Sequence, residues 1–284
     1  MNNFLNKHQL PKQYLVDAEQ VFSDLVFRIE KLTTENKRTI FVGINGCQGS
    51  GKSTLADYLV CKLNEKKIKA ISCSLDDFYL SATKRSMLAK TIHPLLKTRG
   101  VPGTHNTALL EQTMANFTKQ KVNWKLSKFN KVDDNPHDEN LWPIIKDRKQ
   151  VVIIEGWCWG IPAQPKGSLT TPVNKLEETY DPSRKWRDYV NQQLNDNYQH
   201  LFAQMELTVM LKAPSFDCVY QWRLEQEQKL SKTTQTSVMN ESDIAQFILY
   251  FQRLTEHALT VLPQQADFLF ELDKNRQIIR TLIK

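Results

Sequence analysis

The chain has 284 residues, 40% hydrophobic and 24% charged, with a formal net charge of +7. This is enough material for one large α/β domain or two small ones. No apolar run reaches the roughly 18 residues of a membrane span, and the start Met1–His8 lacks the apolar core of a signal peptide. The basic residues are dispersed rather than blocked, which argues against a nucleic-acid partner. The five scattered cysteines contain no C-x-x-C pair, so neither a disulfide framework nor a zinc site is indicated, which favours the cytoplasm.

Residues 12–32 carry Leu15, Val21, Phe22, Leu25, Val26, Ile29 and Leu32 at helical spacing. Thr39–Ile44 is β-branched and apolar, as a buried parallel strand should be. It runs into Gly46-Cys47-Gln48-Gly49-Ser50-Gly51-Lys52-Ser53-Thr54, which fits the phosphate-binding pattern G-x-x-x-x-G-K-[ST]. Leu55, Leu59 and Leu63 then recur every four residues, placing the loop at a helix N-terminus, where the dipole favours anions. Ala70–Leu75 is a second strand, ending in Asp76-Asp77-Phe78-Tyr79. Residues 80–148 are polar and broken by prolines, so helices and long loops carrying a substrate site are expected there rather than core. Val151–Ile154 is a third strand, and residues 156–182 read as a long surface loop. A helix over 183–204, a strand over Leu207–Leu211, helices over 215–230 and 241–260, and a last strand over Phe268–Leu272 complete the order. Strands alternating with helices predict a doubly wound parallel sheet of about five strands with helices on both faces. The expected organisation is a single domain over 1–284, with 80–148 as a substrate-binding insertion and 1–37 as an N-terminal helical extension.

In the phosphate loop, Gly46 and Gly51 supply unusual backbone angles and close approach, and the backbone N–H groups form a nest for oxyanions. Lys52 would reach the β/γ-phosphates of a bound triphosphate, and the Ser53 hydroxyl would be a Mg²⁺ ligand. Ligands of doubly wound sheets gather beyond the carboxyl ends of strands, where this chain places Asp76, Asp77 and Glu155. Converging carboxylates beside a phosphate loop suit two jobs: holding Mg²⁺ and taking a proton from a hydroxyl. Asp76 is favoured as the base over Asp77, with helix N-capping as the alternative use of either. Glu155 is the metal-side carboxylate, acting through water.

Four segments together are more specific than the loop alone: Gly46–Thr54, Leu75–Tyr79, Arg99-Gly100-Val101-Pro102-Gly103-Thr104-His105, and Glu155-Gly156-Trp157. In them the chain resembles the D-glycerate 3-kinase family, within the wider uridine kinase, phosphoribulokinase and pantothenate kinase group. The resemblance runs from about 38 to 273 and includes Trp222–Glu227. It implies transfer of the γ-phosphoryl of ATP to a small acidic acceptor such as D-glycerate. Nucleosides, pantothenate or similar metabolites are alternative acceptors, and nucleotide binding without transfer is the reading from another class. The resemblance places the base on Asp76, two positions before the aromatic Phe78. It implies substrate contacts from Asp77, Tyr79, Arg99, His105, Asn106 and Lys131, and a cation on the transferring phosphoryl group from Arg223. Two positions depart from the family pattern: Asn106 and Asn130 stand where the family has aspartates. Asparagine keeps hydrogen bonding but cannot act as a base.

Overall fold

The computed structural model of the chain describes residues 1–231 and 240–284. Six strands form its main sheet: β1 (Ile40–Gly46), β2 (Ala70–Ser74), β3 (Val151–Gly156), β4 (Leu207–Lys212), β5 (Phe268–Leu272) and β6 (Ile278–Ile283). Their spatial order is β6-β5-β4-β1-β3-β2. The first five are mutually parallel, and β6 runs antiparallel to β5 at one edge. Five parallel strands match the sequence expectation. The sixth was not expected, although its signal is present: an Asp273–Arg276 turn followed by Ile278–Ile283, in which four of six residues are β-branched.

Period-2 alternation feeds two cores, one on each face of the sheet. Ile40, Val42, Ile44, Val151 and Ile153 face the helices Gln13–Glu35 and Lys52–Glu65, meeting Phe22, Leu25, Ile29, Leu55, Leu59 and Leu63. Phe41, Val152 and Ile154 face the other way, into Leu110, Met114 and Phe117 of the helix Thr107–Thr118. Each fully buried aliphatic or aromatic side chain contributes about 1.5–3 kcal/mol, which explains why β1 and β3 read as unbroken apolar runs.

Three expectations need correction. Residues 156–182 are not a surface loop: Trp157, Cys158, Trp159 and Ile161 are buried, and Lys175–Tyr180 is a helix. Proline and glycine signalled turns correctly there. The tryptophans nonetheless draw the segment under the sheet, where Trp157 Nε1 donates to the Gly100 carbonyl at 3.0 Å. Residues 80–148 are not outside the core either, because Leu95, Leu96, Val101, Leu110 and Met114 are buried in it. Each short amphipathic piece contributes one apolar face that averaging over a polar region conceals. The helix expected over 183–204 is interrupted by a π turn at Leu194–Tyr198.

Register aligns the functional ends of the strands. Glu155 pairs with Ile44 of β1 and with Ser74 of β2. The phosphate loop, the acidic pair after Ser74 and Glu155 therefore leave the sheet along one edge.

Candidate active site

The phosphate loop sits between β1 and the helix Lys52–Glu65. Gly49 and Gly51 have φ of 77° and 93°, in the left-handed region. Gly46 does not, so of the two roles expected of it only the close approach applies. A side chain there would stand 2.5 Å from Ser50 Oγ, so Gly46 is required by close packing rather than by its dihedrals. A Cβ on Gly49 would lie 2.6 Å from Trp222 Cβ, so the loop rests directly on the helix Asp217–Ser231. Burial pushes the Cys47 thiol up to about 12, leaving it an inert packing group. Gln48 Oε1 and Ser50 Oγ are buried without hydrogen-bond partners among the described residues. Thr54 Oγ1 lies 3.3 Å from His8 Nδ1, so the N-terminal helix Asn2–His8 is pinned to the helix that follows the loop.

At the head of the loop, Ser53 Oγ donates to Glu155 Oε1 at 2.7 Å. Lys52 Nζ stands 4.0 Å from Glu155 Oε2. Glu155 is buried, and its Oε2 has no hydrogen-bond partner among the described residues. A hydroxyl and a carboxylate with an unspent buried oxygen form a hard donor set. They fit Mg²⁺, which is held by one or two carboxylates together with phosphate oxygens and water. The first backbone N–H groups of the following helix have no intrahelical partners and fit the phosphates.

The acidic pair lies on a short 3-10 turn, Leu75–Phe78, capped by Ser74 rather than by either aspartate. Asp76 and Asp77 diverge. Asp77 accepts from Lys128 Nζ at 2.5 Å, and its carbonyl accepts from Ser127 Oγ at 3.0 Å, so it ties down the following loop. Asp76 accepts from Tyr79 Oη at 2.8 Å and from Lys131 Nζ at 2.6 Å. Burial alone would raise the Asp76 carboxyl. The charges of Lys131 and Lys52, with hydrogen bonds from Lys131 and Tyr79, outweigh burial and hold it well below the usual carboxylate range. Asp76 in turn raises the Lys131 ammonium.

His105 is buried, bridges backbone-to-backbone with Tyr79, and stacks on the Tyr79 ring at 4.5 Å between centroids. Its Nδ1 lies 2.7 Å from the Tyr198 hydroxyl, a partner the sequence did not indicate. Arg99 lies over the Phe129 ring and ion-pairs with Asp134. Asp134 also binds the buried Arg85 at 2.6 Å, and it was missed in the sequence. Asn106 is the N-cap of the helix Thr107–Thr118, its Oδ1 accepting from Leu109 N at 3.2 Å. Asn130 Oδ1 accepts from Val132 N at 3.0 Å, closing a turn. The side-chain oxygens of both departures from the family pattern are thus engaged in local backbone geometry. Arg223 ion-pairs with Glu227, covers the Phe247 ring, and lies within the electrostatic reach of Arg99 and Asp76.

No protein-family model matches the chain. Over 232 residues it is 32% identical to the uncharacterized kinase mug58 of Schizosaccharomyces pombe, covering 78% of this chain and 82% of that one. It is 27% identical over 218 residues to the chloroplastic D-glycerate 3-kinase of Arabidopsis thaliana, covering 74% of this chain but 45% of the plant protein. In three dimensions it superposes on the D-glycerate 3-kinase of Cryptococcus neoformans with a TM-score of 0.76 at 22% identity, covering 92% of this chain and 98% of that one. That likeness is one of fold. No helix among the described residues is long and apolar enough to cross a membrane.

Proposed function

The chain belongs to the D-glycerate 3-kinase family of P-loop kinases, which includes related fungal kinases, and from that premise we propose that it phosphorylates D-glycerate to 3-phosphoglycerate. It is an ATP-dependent phosphotransferase with an alcohol acceptor. The observation that supports the acceptor reading is the Asp76 carboxylate, fixed by Tyr79 and Lys131 and lying within the field of Lys52. A proton acceptor of that kind, next to phosphate-binding machinery, suits an alcohol. The cations Arg99 and Lys131 suit an acid.

When bound, ATP supplies the phosphoryl group and Mg²⁺ the charge that neutralises it. Gly46–Thr54 would cradle the phosphates, with Lys52 on their charge, and Ser53 and Glu155 would hold the metal. Asp76 would accept the proton of the substrate hydroxyl. Arg99 would take the substrate carboxylate through its planar fork, with Lys131 beside it. Both cations now hold carboxylates of the chain, Asp134 and Asp76. The substrate carboxylate would displace Asp134 from Arg99, while Lys131 keeps Asp76 in place. Arg223 would offer its charge to the transferring group. Catalysis of this kind is mostly positioning and charge stabilisation. In this reading 1–284 is one kinase domain, 80–148 carries the acceptor side and 1–37 is a helical extension. The reaction belongs in the cytosol, which keeps thiols like these five reduced.

The test is a panel of acceptors with purified protein, ATP and Mg²⁺, reading ADP and phosphorylated product. D-Glycerate should be the preferred acceptor and glycerol, which lacks the carboxylate, a poor one. If nucleosides or neutral polyols are phosphorylated as readily as glycerate, the acceptor reading is wrong.

A further inference from the structure

The described hydrogen bonds of the Tyr198 hydroxyl are two. Gly103 N donates to it at 3.1 Å, and His105 Nδ1 lies 2.7 Å away. The backbone N–H can only donate, so it occupies a lone pair of the phenol. The phenol has one proton of its own, and the acceptor within reach is His105 Nδ1. Were Nδ1 protonated, two donors would converge on one oxygen and the buried Tyr198 proton would have nowhere to go. The network closes only with Nδ1 as acceptor, which puts the imidazole proton on Nε2. Burial keeps the phenol protonated, and it lowers His105 to about 4, against a smaller opposing pull from Asp76, so the ring is neutral near pH 7.

That leaves His105 Nε2 as a donor. It is buried and has no hydrogen-bond partner among the described residues, on a residue only 4% exposed. A buried N–H without a partner is unfavourable and uncommon in native proteins. The ring that carries it stacks on Tyr79, whose hydroxyl holds Asp76. Tyr198 itself closes the π turn Leu194–Tyr198, an irregularity often found at functional sites.

We propose that Tyr198 is a positioning residue that locks His105 in the Nε2–H tautomer, making it a neutral hydrogen-bond donor to an oxygen of the acceptor substrate beside Asp76. This rests on the reading that an acceptor hydroxyl meets Asp76. A neutral donor has a physical advantage there. An imidazolium would pair with Asp76 and weaken it as a proton acceptor, whereas a neutral N–H orients a substrate oxygen without adding charge.

The experiment is long-range ¹H–¹⁵N correlation spectroscopy on the full chain with ¹⁵N-labelled histidine, the His105 signals being assigned by their loss in His105→Gln. At pH 7 the wild type should show Nδ1 unprotonated and Nε2 protonated. An Nδ1–H tautomer or a charged ring would overturn the proposal. Tyr198→Phe should let the Nδ1–H tautomer become populated and raise the acceptor KM by the reciprocal of the Nε2–H fraction that the spectrum shows remaining, about twofold for an equal mixture, with the KM for ATP unchanged. An unchanged spectrum, or a changed tautomer with an unchanged acceptor KM, would refute it. Should Tyr198→Phe fail to fold, His105 variants decide. His105→Gln, whose amide nitrogen can stand near the Nε2 position, should keep the acceptor KM within about threefold, and His105→Ala should raise it about tenfold. Equal losses in both would refute the donor role. The tautomer spectrum needs no substrate, so it stands or falls separately from the identity of the acceptor. If the panel selects another acid, the KM comparisons are made with that acid.

Discussion

Replacing Asn106 by aspartate and, separately, by alanine distinguishes a capping role from chemistry at the acceptor side. Asn106 Oδ1 accepts from Leu109 N at 3.2 Å, and the Asn106 backbone N donates to the Phe78 carbonyl at 2.6 Å. One residue thus starts the helix Thr107–Thr118 and ties it to the turn that carries Asp76. Alanine keeps the second bond and loses the first. The loss of an N-cap costs about 1 kcal/mol, which for a chain of this size lowers Tm by roughly 2–3 °C. Aspartate caps as well as asparagine and adds a negative charge at a helix N-terminus, favourable by about 0.3–1 kcal/mol. Thermal melts by circular dichroism should therefore rank Asp at or above Asn, with Ala below both. In a coupled ADP-release assay, Asn106→Asp should leave kcat and both KM values within about twofold, because the carboxylate would be spent on the helix as the amide is. A tenfold gain in kcat/KM for glycerate in Asn106→Asp would refute this. It would mean that a carboxylate at 106 acts on substrate and that its absence has changed the acceptor.

The remaining predictions concern charge. Asp76→Asn should lower kcat by about 10²–10⁴-fold with little change in ATP affinity, while Asp77→Asn should lower thermal stability by freeing Lys128; the reverse pattern would move the base to Asp77. Lys131→Met removes one of the charges that depress Asp76. Because Asp76 must be deprotonated to accept a proton, the acid limb of the kcat/KM–pH profile should then move to higher pH, and an unmoved limb would remove Asp76 from that limb. Arg99→Ala should raise the KM for glycerate at least tenfold, as loss of a hydrogen bond to a charged group implies, with the KM for ATP nearly constant. Arg99→Lys should recover only part of it, because an ammonium lacks the bidentate fork, and full recovery would show that charge alone is recognised.

What was legible in the sequence was local. The phosphate loop, its strand and its helix occupy about 26 contiguous residues, Ile40–Glu65, and each fixed residue answers a demand of its neighbours in the chain. Hydrophobic periodicity located the five parallel strands for the same reason. What was illegible depends on contacts across long separations. Tyr198 and His105 are 93 positions apart, and nothing in a helical run of residues marks one tyrosine as the partner of a distant histidine. Asp134 is 35 positions from Arg99, in a left-handed turn with φ of 53°, where a sequence reading finds only a polar loop. The buried segment after β3 was misread because proline and glycine report turns but not which side of the chain a tryptophan will bury.

The chain has a net charge of +7, yet among the described residues the cations at this edge of the sheet named above each stand beside a carboxylate. Lys52 lies beside Glu155, Lys131 beside Asp76, Lys128 beside Asp77, Arg99 beside Asp134 and Arg223 beside Glu227. The partly exposed pairs among these, Lys131–Asp76, Lys128–Asp77 and Arg99–Asp134, are of the kind that contributes about 0–1 kcal/mol each. Removing only the carboxylates would leave like charges facing one another, as Arg99 faces Lys131 and Arg223. Pairing therefore keeps the cations ordered before an anion arrives, which is the pre-organisation that positioning catalysis requires. The asparagines at 106 and 130 fit the same scheme. Their side-chain oxygens hold helix and turn N–H groups, so neither position needs a charge, and Asp76, Asp77 and Asp134 pair the cations Lys131, Lys128 and Arg99.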